Sequence, residues 1–178
     1  TKEYDPNKEG CCEKSETESQ IYNLSTECCT KHKRVISLSI KPTSQVCIRP
    51  LNNPWTGWTN LVVHCFLDVP YYGAWGFFDE NIGIAPEPAA AGTVVWGFVT
   101  RKSQCKRIKC DGCVDDKELA LTISDYRNGS GYAASTYKLR SHNCCHWVND
   151  VLKTAGCNGV ESYFSGYSLP STPSPVAP

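Results

Sequence analysis

One cysteine and one histidine, far apart in this sequence, are the side chains best suited to chemistry. The cysteine, Cys144, lies in the run Asn143-Cys-Cys-His-Trp, and the histidine is His64. Asn143 is a good N-cap residue, because its side-chain oxygen accepts a hydrogen bond from a free amide of the first helical turn. Cys144 then takes the first helical position, where the helix dipole and the unpaired amides favour a thiolate. A thiol placed in this way is typical of a nucleophile.

The residues after Cys144 predict the helix that carries it. They place apolar side chains at helical spacing, and Gly156 then ends the pattern. The apolar positions are Trp147, Val148, Val151, Leu152 and Ala155. Cys144 lies on the same stripe, so we expect its sulfur to point into the domain. His146 is turned about 200° away from Cys144 and is interpreted as structural.

His64 lies in the clearest strand of the sequence, residues 60–69, which alternates two faces. One face carries Leu61, Val63, Cys65, Leu67 and Val69, and the other carries Val62, His64, Phe66 and Asp68. A lone histidine in a half-buried sheet is more often structural than catalytic. Its pairing with Cys144 reverses that reading, provided that the helix packs across the sheet and brings thiol and imidazole together.

The remaining segments predict an α+β domain, with an antiparallel sheet first and packed helices afterwards. Strands are predicted at residues 35–40, 46–48, 71–78 and 93–100, and a loop at residues 86–92. Asp115 and Glu118 resemble a capping box and predict the start of another helix. The chain divides into a cysteine-rich N-terminal extension (1–33), a single α+β domain (34–167) and a Pro/Ser-rich tail (168–178).

Twelve cysteines among 178 residues indicate disulfides in an oxidising compartment. We expect at least one bridge to hold the N-terminal extension to the domain. The absence of methionine and the start at Thr1 fit a mature secreted protein. Asn23 and Asn128 head possible glycosylation triplets. The alternative reading is a zinc site that includes Cys105, Cys110 and Cys113.

The number of cysteines also bears on the nucleophile, because a free Cys144 in a twelve-cysteine chain requires a second free cysteine. Cys65 and Cys145 are the candidates for that second thiol. In the opposing reading, Cys144 is oxidised, for instance with Cys157. If Cys144 is free, we expect Cys145→Ser to be a mild change, since its side chain is turned about 100° from that of Cys144.

Composition excludes some classes of protein. The net charge is zero, with no basic stripe, which argues against nucleic-acid binding. No apolar run approaches the length of a membrane span. No cofactor and no metal are expected in the reading that assigns the cysteines to disulfides and catalysis. The substrate expected is soluble and peptide-like or an amide, rather than a bilayer lipid.

The stretch from Tyr137 to Trp147, with the helix after it, resembles the Asn-Cys-x-His-aromatic signature of the circularly permuted papain-like proteins. That superfamily includes lecithin retinol acyltransferase and NlpC-type proteins. The segments Val63-His-Cys-Phe-Leu and Trp75-Gly-Phe-Phe also resemble the histidine strand of that family and its neighbour. The resemblance covers roughly residues 60–156.

The resemblance implies a thiol hydrolase that acts on an amide or ester through an acyl-enzyme. It implies Cys144 as the nucleophile, His64 as the base, and Asn143 and Cys144 at the helix cap that forms the oxyanion site. In that family a third polar residue from the neighbouring strand orients the histidine. Residues 71–78 offer no His, Asn or Gln, so Asp79 and Glu80, just past their end, are the candidates. The alternative from another class is a non-enzymatic, disulfide-rich effector, toxin or binding protein.

Overall fold

The computed structural model describes residues 5–52, 62–78, 82–87, 94–95, 98–100, 103–129, 131–138 and 142–164. These residues form an α+β fold of antiparallel strands followed by two α-helices, as the sequence predicted. The first strands are β1 (Glu9–Glu13), β2 (Ser19–Asn23), β3 (Glu27–Cys29), β4 (Val35–Ser37), β5 (Gln45–Asn52) and β6 (Val62–Val69). They are followed by β7 (Gly73–Phe78), β8 (Gly83–Pro86), β9 (Val94–Val95), β10 (Phe98–Thr100) and β11 (Gln104–Arg107). The helices are α1 (Asp116–Asn128) and α2 (Cys144–Thr154).

The main sheet is antiparallel and has the strand order β8-β7-β6-β5-β10-β9. The long strand β5 pairs with β6 along one side, and on the other side it pairs with both β11 and β10. The predicted alternation of β6 is confirmed in the core, because Cys65, Leu67 and Val69 are fully buried against the helices. This sheet carries His64 at its centre.

Helix α2 packs on β6 and β7 and forms the centre of the hydrophobic core. Every predicted apolar position of the helix is buried, and Trp147 is one of the largest fully buried side chains. Gly156 follows the helix with φ of 82°, a backbone conformation that favours glycine. Asp115 caps α1 by accepting a hydrogen bond from the Glu118 amide at 2.8 Å, also as predicted. No helix in the described part of the chain is long and apolar enough to cross a membrane.

The N-terminal extension is more ordered than its sequence indicated, because β1 and β2 form a hairpin within it. The Cys28–Cys113 disulfide ties the extension to the segment that precedes α1. Beside it, Arg34 forms two hydrogen bonds with Asp115, at 2.8 and 2.9 Å. His32 bridges two carboxylates of α1. The prediction that a bridge holds the extension to the domain is therefore confirmed.

Several predicted boundaries were wrong. The strand predicted at 35–40 ends at Ser37, because β3, its partner within the described residues, is three residues long. The strand predicted at 46–48 extends over β5, since two strands pair along its far side. The strand predicted at 71–78 begins at Gly73, because Tyr71 has a positive φ of 68° and lies in a turn. The predicted loop 86–92 begins too early, because Pro86 ends β8 and Glu87 is buried. Residues 165–178, and with them the predicted tail, lie outside the described residues.

We expect the double variant Cys28→Ala/Cys113→Ala to lower the free energy of unfolding by about 2–4 kcal/mol, the usual cost of losing a native disulfide. Chemical denaturation measures this, and limited proteolysis should then cut first within the extension. Cys11→Ser is the control, because Cys11 is exposed and unpaired; its effect should stay within about 0.5 kcal/mol. A double variant as stable as the wild type would contradict the role of this bridge.

Candidate active site

Asn143 starts helix α2 and fixes the position of Cys144. Its Oδ1 accepts hydrogen bonds from the amides of Cys145 (2.9 Å) and His146 (3.2 Å). His146 accepts a bond from the Asn143 amide through Nδ1 at 3.4 Å, which completes a capping box. His146 is therefore structural, as predicted, and Cys144 occupies the first helical position with 3% of its surface exposed.

The sulfur of Cys144 lies where the pairing between β6 and β7 ends. That register runs from Val69↔Gly73 to Phe66↔Gly76 and stops there. Its next step would place Phe77 opposite Cys65, but the Cys65 amide donates to the Cys144 sulfur instead, at 3.4 Å. The thiol thus fills a gap in the sheet at the residue next to His64.

The Cys144 side chain lies close enough to the His64 imidazole to raise the pKa of that ring, so the structure brings the two predicted residues together. The ring is 2% exposed and lies 5.1 Å from the ring of Phe78, centroid to centroid. Burial by itself lowers the pKa of His64. The Cys144 sulfur and the Glu87 carboxylate outweigh burial and raise that pKa to about 9. His64 is therefore an imidazolium at neutral pH.

Glu87 is the third member of this cluster, and the sequence interpretation missed it. Its Oε2 lies 2.7 Å from Nε2 of His64, and its side chain is 2% exposed. Glu87 follows β8, and its amide donates to Ala74 on β7 at 2.8 Å. The carboxylate reaches His64 from two strands away.

Gly76 makes this reach across β7 feasible. A Cβ atom at this position would lie 2.8 Å from Glu87 Oε2 and 3.0 Å from His64 Nε2. Such distances are shorter than van der Waals contact, so any side chain here would separate the two groups. The glycine therefore leaves open the path along which Glu87 meets His64.

Arg49 binds the other oxygen of the Glu87 carboxylate. It lies on β5 directly opposite His64, and its Nη1 donates to Glu87 Oε1 at 3.0 Å. Arg49 is itself 4% exposed. Cys144, His64, Glu87 and Arg49 thus form one buried series of charged and polar groups that spans α2, β6, the end of β8 and β5.

A disulfide joins the residues that follow His64 and Cys144, since Cys65 is bonded to Cys145. All twelve cysteines lie within the described residues; ten are paired, while Cys144 and Cys11 are free. Cys65 and Cys145 were the wrong candidates for the second free thiol, because they bond to each other across the contact between helix and strand. The expectation that Cys145→Ser is mild loses its basis, because that change breaks this bridge.

The other predicted site residues have different outcomes. Asp79 and Glu80 lie outside the described residues. Each of the three cysteines considered as zinc ligands is in a disulfide, with Cys47, Cys157 or Cys28 as its partner. Among the described residues there is no cluster of three or more His, Cys, Asp or Glu able to hold a metal.

The oxyanion site predicted from the first-turn amides of α2 has fewer free hydrogen-bond donors than expected. Asn143 already occupies the amides of Cys145 and His146. In the described part of the chain, no acceptor faces the Cys144 amide. The donor that remains for an oxyanion is therefore the amide of Cys144 itself.

No family model matches this chain, and no curated protein and no solved structure shows significant similarity to it. The site must therefore be interpreted from its own geometry.

We expect Gly76→Ala to break the hydrogen bond between His64 and Glu87 and to cost about 1–3 kcal/mol of stability, as overpacking in a core does. Chemical denaturation and the NMR signals of the His64 ring provide the measurements. Gly131→Ala is the matched control, because nothing lies within 4 Å of a Cβ added there. Unchanged His64 signals in Gly76→Ala would contradict this account.

We also expect His64 to keep its proton in the folded protein until the pH reaches about 9, although an ordinary histidine loses it near pH 6.5. The Cys144 sulfur and the Glu87 carboxylate stabilise the imidazolium against the effect of burial, and the unfolded chain has neither contact. The ring should therefore lose its proton at a higher pH in the folded protein than in the unfolded chain.

The NMR signals of the His64 ring, assigned by their absence from His64→Gln, measure this pKa across the same pH range. The His32 ring is the reference in the same molecule: burial lowers its pKa, but Glu118 and Asp125 raise it overall. A His64 ring that loses its proton near pH 6.5 would contradict the expectation.

Proposed function

We propose that this protein is a secreted thiol hydrolase that cleaves an amide or ester bond through an acyl-enzyme. The observation that carries the proposal is the buried contact between a free thiol at a helix start and an imidazolium held by a carboxylate. A nucleophile, a base and a group that orients the base are the parts that thiol catalysis requires. Cys144, His64 and Glu87 take these roles in that order.

The reaction would begin when the Cys144 sulfur attacks the substrate carbonyl carbon. A carbon–sulfur bond forms, and the carbonyl electron pair moves to the oxygen, which the Cys144 amide stabilises. The His64 imidazolium then donates its proton to the departing nitrogen or oxygen, and a thioester remains. Water gives a proton to His64 and attacks the thioester carbon; the carbon–sulfur bond then breaks, the acid leaves, and Cys144 and His64 return as thiolate and imidazolium. Glu87 holds the imidazole in orientation throughout.

Other features support the same proposal. His64 precedes Cys144 in the chain, on a strand and at a helix start respectively, which is the order in the permuted papain-like proteins that the sequence resembles. Five disulfides are typical of proteins from oxidising compartments, and they support secretion.

A second candidate is a non-enzymatic effector, toxin or binding protein in which the same cluster only stabilises the core. The low exposure of Cys144 and His64, 3% and 2%, favours this alternative, because a substrate must reach the sulfur. The two candidates differ in the reactivity of Cys144. An enzyme must present this thiol to small electrophiles, whereas a core thiol stays unreactive.

We expect p-nitrophenyl acetate, a small activated ester, to acylate Cys144 in preference to Cys11, the exposed free thiol. Peptide mapping by mass spectrometry identifies the acylated residue. Cys144→Ala should abolish turnover, and His64→Ala should slow acylation by about 10²–10⁴-fold, the usual contribution of a general base. Glu87→Gln should reduce turnover by a smaller factor, because the imidazole keeps its place but loses the charge that orients it. Acylation of Cys11 alone in the folded protein would favour the non-enzymatic candidate.

A further inference from the structure

We propose that Arg49 is a positioning residue that keeps the Cys144–His64 pair in its charged form by balancing the carboxylate of Glu87. The inference rests on the proposed function, because it concerns the charge state that the mechanism requires. It adds a fourth residue, one that would touch no substrate.

The geometry ties Arg49 to the pair through Glu87. The two carboxylate oxygens are divided between the two cations: Oε1 binds Arg49 Nη1 at 3.0 Å, and Oε2 binds His64 Nε2 at 2.7 Å. Arg49 is fixed on its other sides as well. Its Nε donates to the Ser103 hydroxyl at 3.0 Å, and its guanidinium lies 5.1 Å from the centroid of the Phe66 ring.

Counting charges shows why the fold needs this arginine. A thiolate at Cys144 and an imidazolium at His64 are neutral together, and the Glu87 carboxylate then leaves one negative charge in the core. Burying an unbalanced charge is costly, and the usual relief is a change of protonation. Arg49 cancels that charge, because a guanidinium does not lose its proton in proteins. Without Arg49, uptake of a proton by the Cys144 sulfur is the simplest relief.

The other groups around the cluster do not alter this count. Cys65 and Cys145 are joined in a disulfide and cannot titrate. On α2, the His146 ring nitrogen Nδ1 is directed to Asn143 at 2.9 Å. The Ser103 hydroxyl is neutral. Asp68, two strand positions beyond Phe66, is exposed to solvent. Among the described residues, therefore, the net charge of the cluster depends on Arg49, Glu87 and the Cys144–His64 pair.

The test is the pH dependence of alkylation of Cys144 by iodoacetamide, with peptide mapping and with Cys11 as the reference thiol in the same molecule. Ultraviolet absorbance of the thiolate, measured as a difference from Cys144→Ser, reports the same charge state without requiring the reagent to reach the sulfur. Both readouts give the pH midpoint at which Cys144 becomes reactive. A role in packing alone would not move this midpoint.

We expect the midpoints to follow the net charge of the cluster. Arg49→Met, with one excess negative charge, should have a higher midpoint than the wild type and about tenfold slower labelling at a pH below it. Glu87→Gln, with one excess positive charge, should have a lower midpoint. The double variant Arg49→Met/Glu87→Gln is neutral and should return near the wild-type midpoint. Arg49→Lys, which keeps the charge, should remain close to the wild type.

Arg34→Met is the matched control, because it removes an arginine–carboxylate pair that joins residues 34 and 115 and does not belong to the cluster. Its midpoint should equal that of the wild type. If Arg49→Met does not fold, the comparison of Glu87→Gln with the double variant still tests the inference. Restoring a neutral cluster in the double variant should raise the midpoint above that of Glu87→Gln. A double variant with the same midpoint as Glu87→Gln, or one shifted further in the same direction, would overturn the inference.

Failure of this inference is distinguishable from failure of the proposed function. Midpoints ordered by charge without acylation by p-nitrophenyl acetate would support the role of Arg49 and contradict the hydrolase. Acylation of Cys144 with midpoints that ignore charge would support the hydrolase and contradict the role of Arg49.

Discussion

The contact between the start of α2 and the open end of the β6–β7 pairing is the constraint on which the site depends. The pairing of β6 with β7 stops before Cys65, and the Cys65 amide donates a hydrogen bond to the Cys144 sulfur instead. A disulfide between Cys65 and Cys145 holds helix and strand together at the same level. Because each bridged cysteine is the next residue after His64 or Cys144, the bridge holds together the two segments that carry the thiol and the imidazole. Movement of the helix relative to the sheet would separate them.

Around that contact the fold accommodates charges in a place where proteins normally exclude them. Arg49, His64 and Glu87 are each less than a tenth exposed, and each forms a charged hydrogen bond. Such groups are tolerated in a core only when they are paired and hydrogen-bonded. Gly76 has no side chain at the point where Glu87 passes over β7. The site thus depends on the space at this glycine as well as on the charged side chains of the sheet.

The two residues proposed to carry the chemistry could be singled out in the sequence, because local signals mark their positions. Asn143 and the apolar spacing after it define the helix start, and the alternation of β6 defines the strand that bears His64. Glu87 was not predictable in the same way, since it follows a four-residue strand and precedes a proline, where sequence periodicity gives no signal. Its role depends on strand order and on the register that places Gly76 beside it. The pairing of cysteines likewise depends on tertiary distances, which spacing along the chain does not contain.

The free thiol of Cys144 lies only 4.0 Å from the sulfur of Cys145, which is half of a disulfide. Reduced and oxidised sulfur therefore coexist at one point of the core. Thiol reductants, which keep a cysteine enzyme active in the laboratory, would here act also on the bridge that aligns the site. Oxidants that preserve the bridge would act on the free thiol beside it. The protein should therefore be handled under conditions reducing enough to spare the Cys144 thiol and oxidising enough to keep the neighbouring Cys65–Cys145 disulfide.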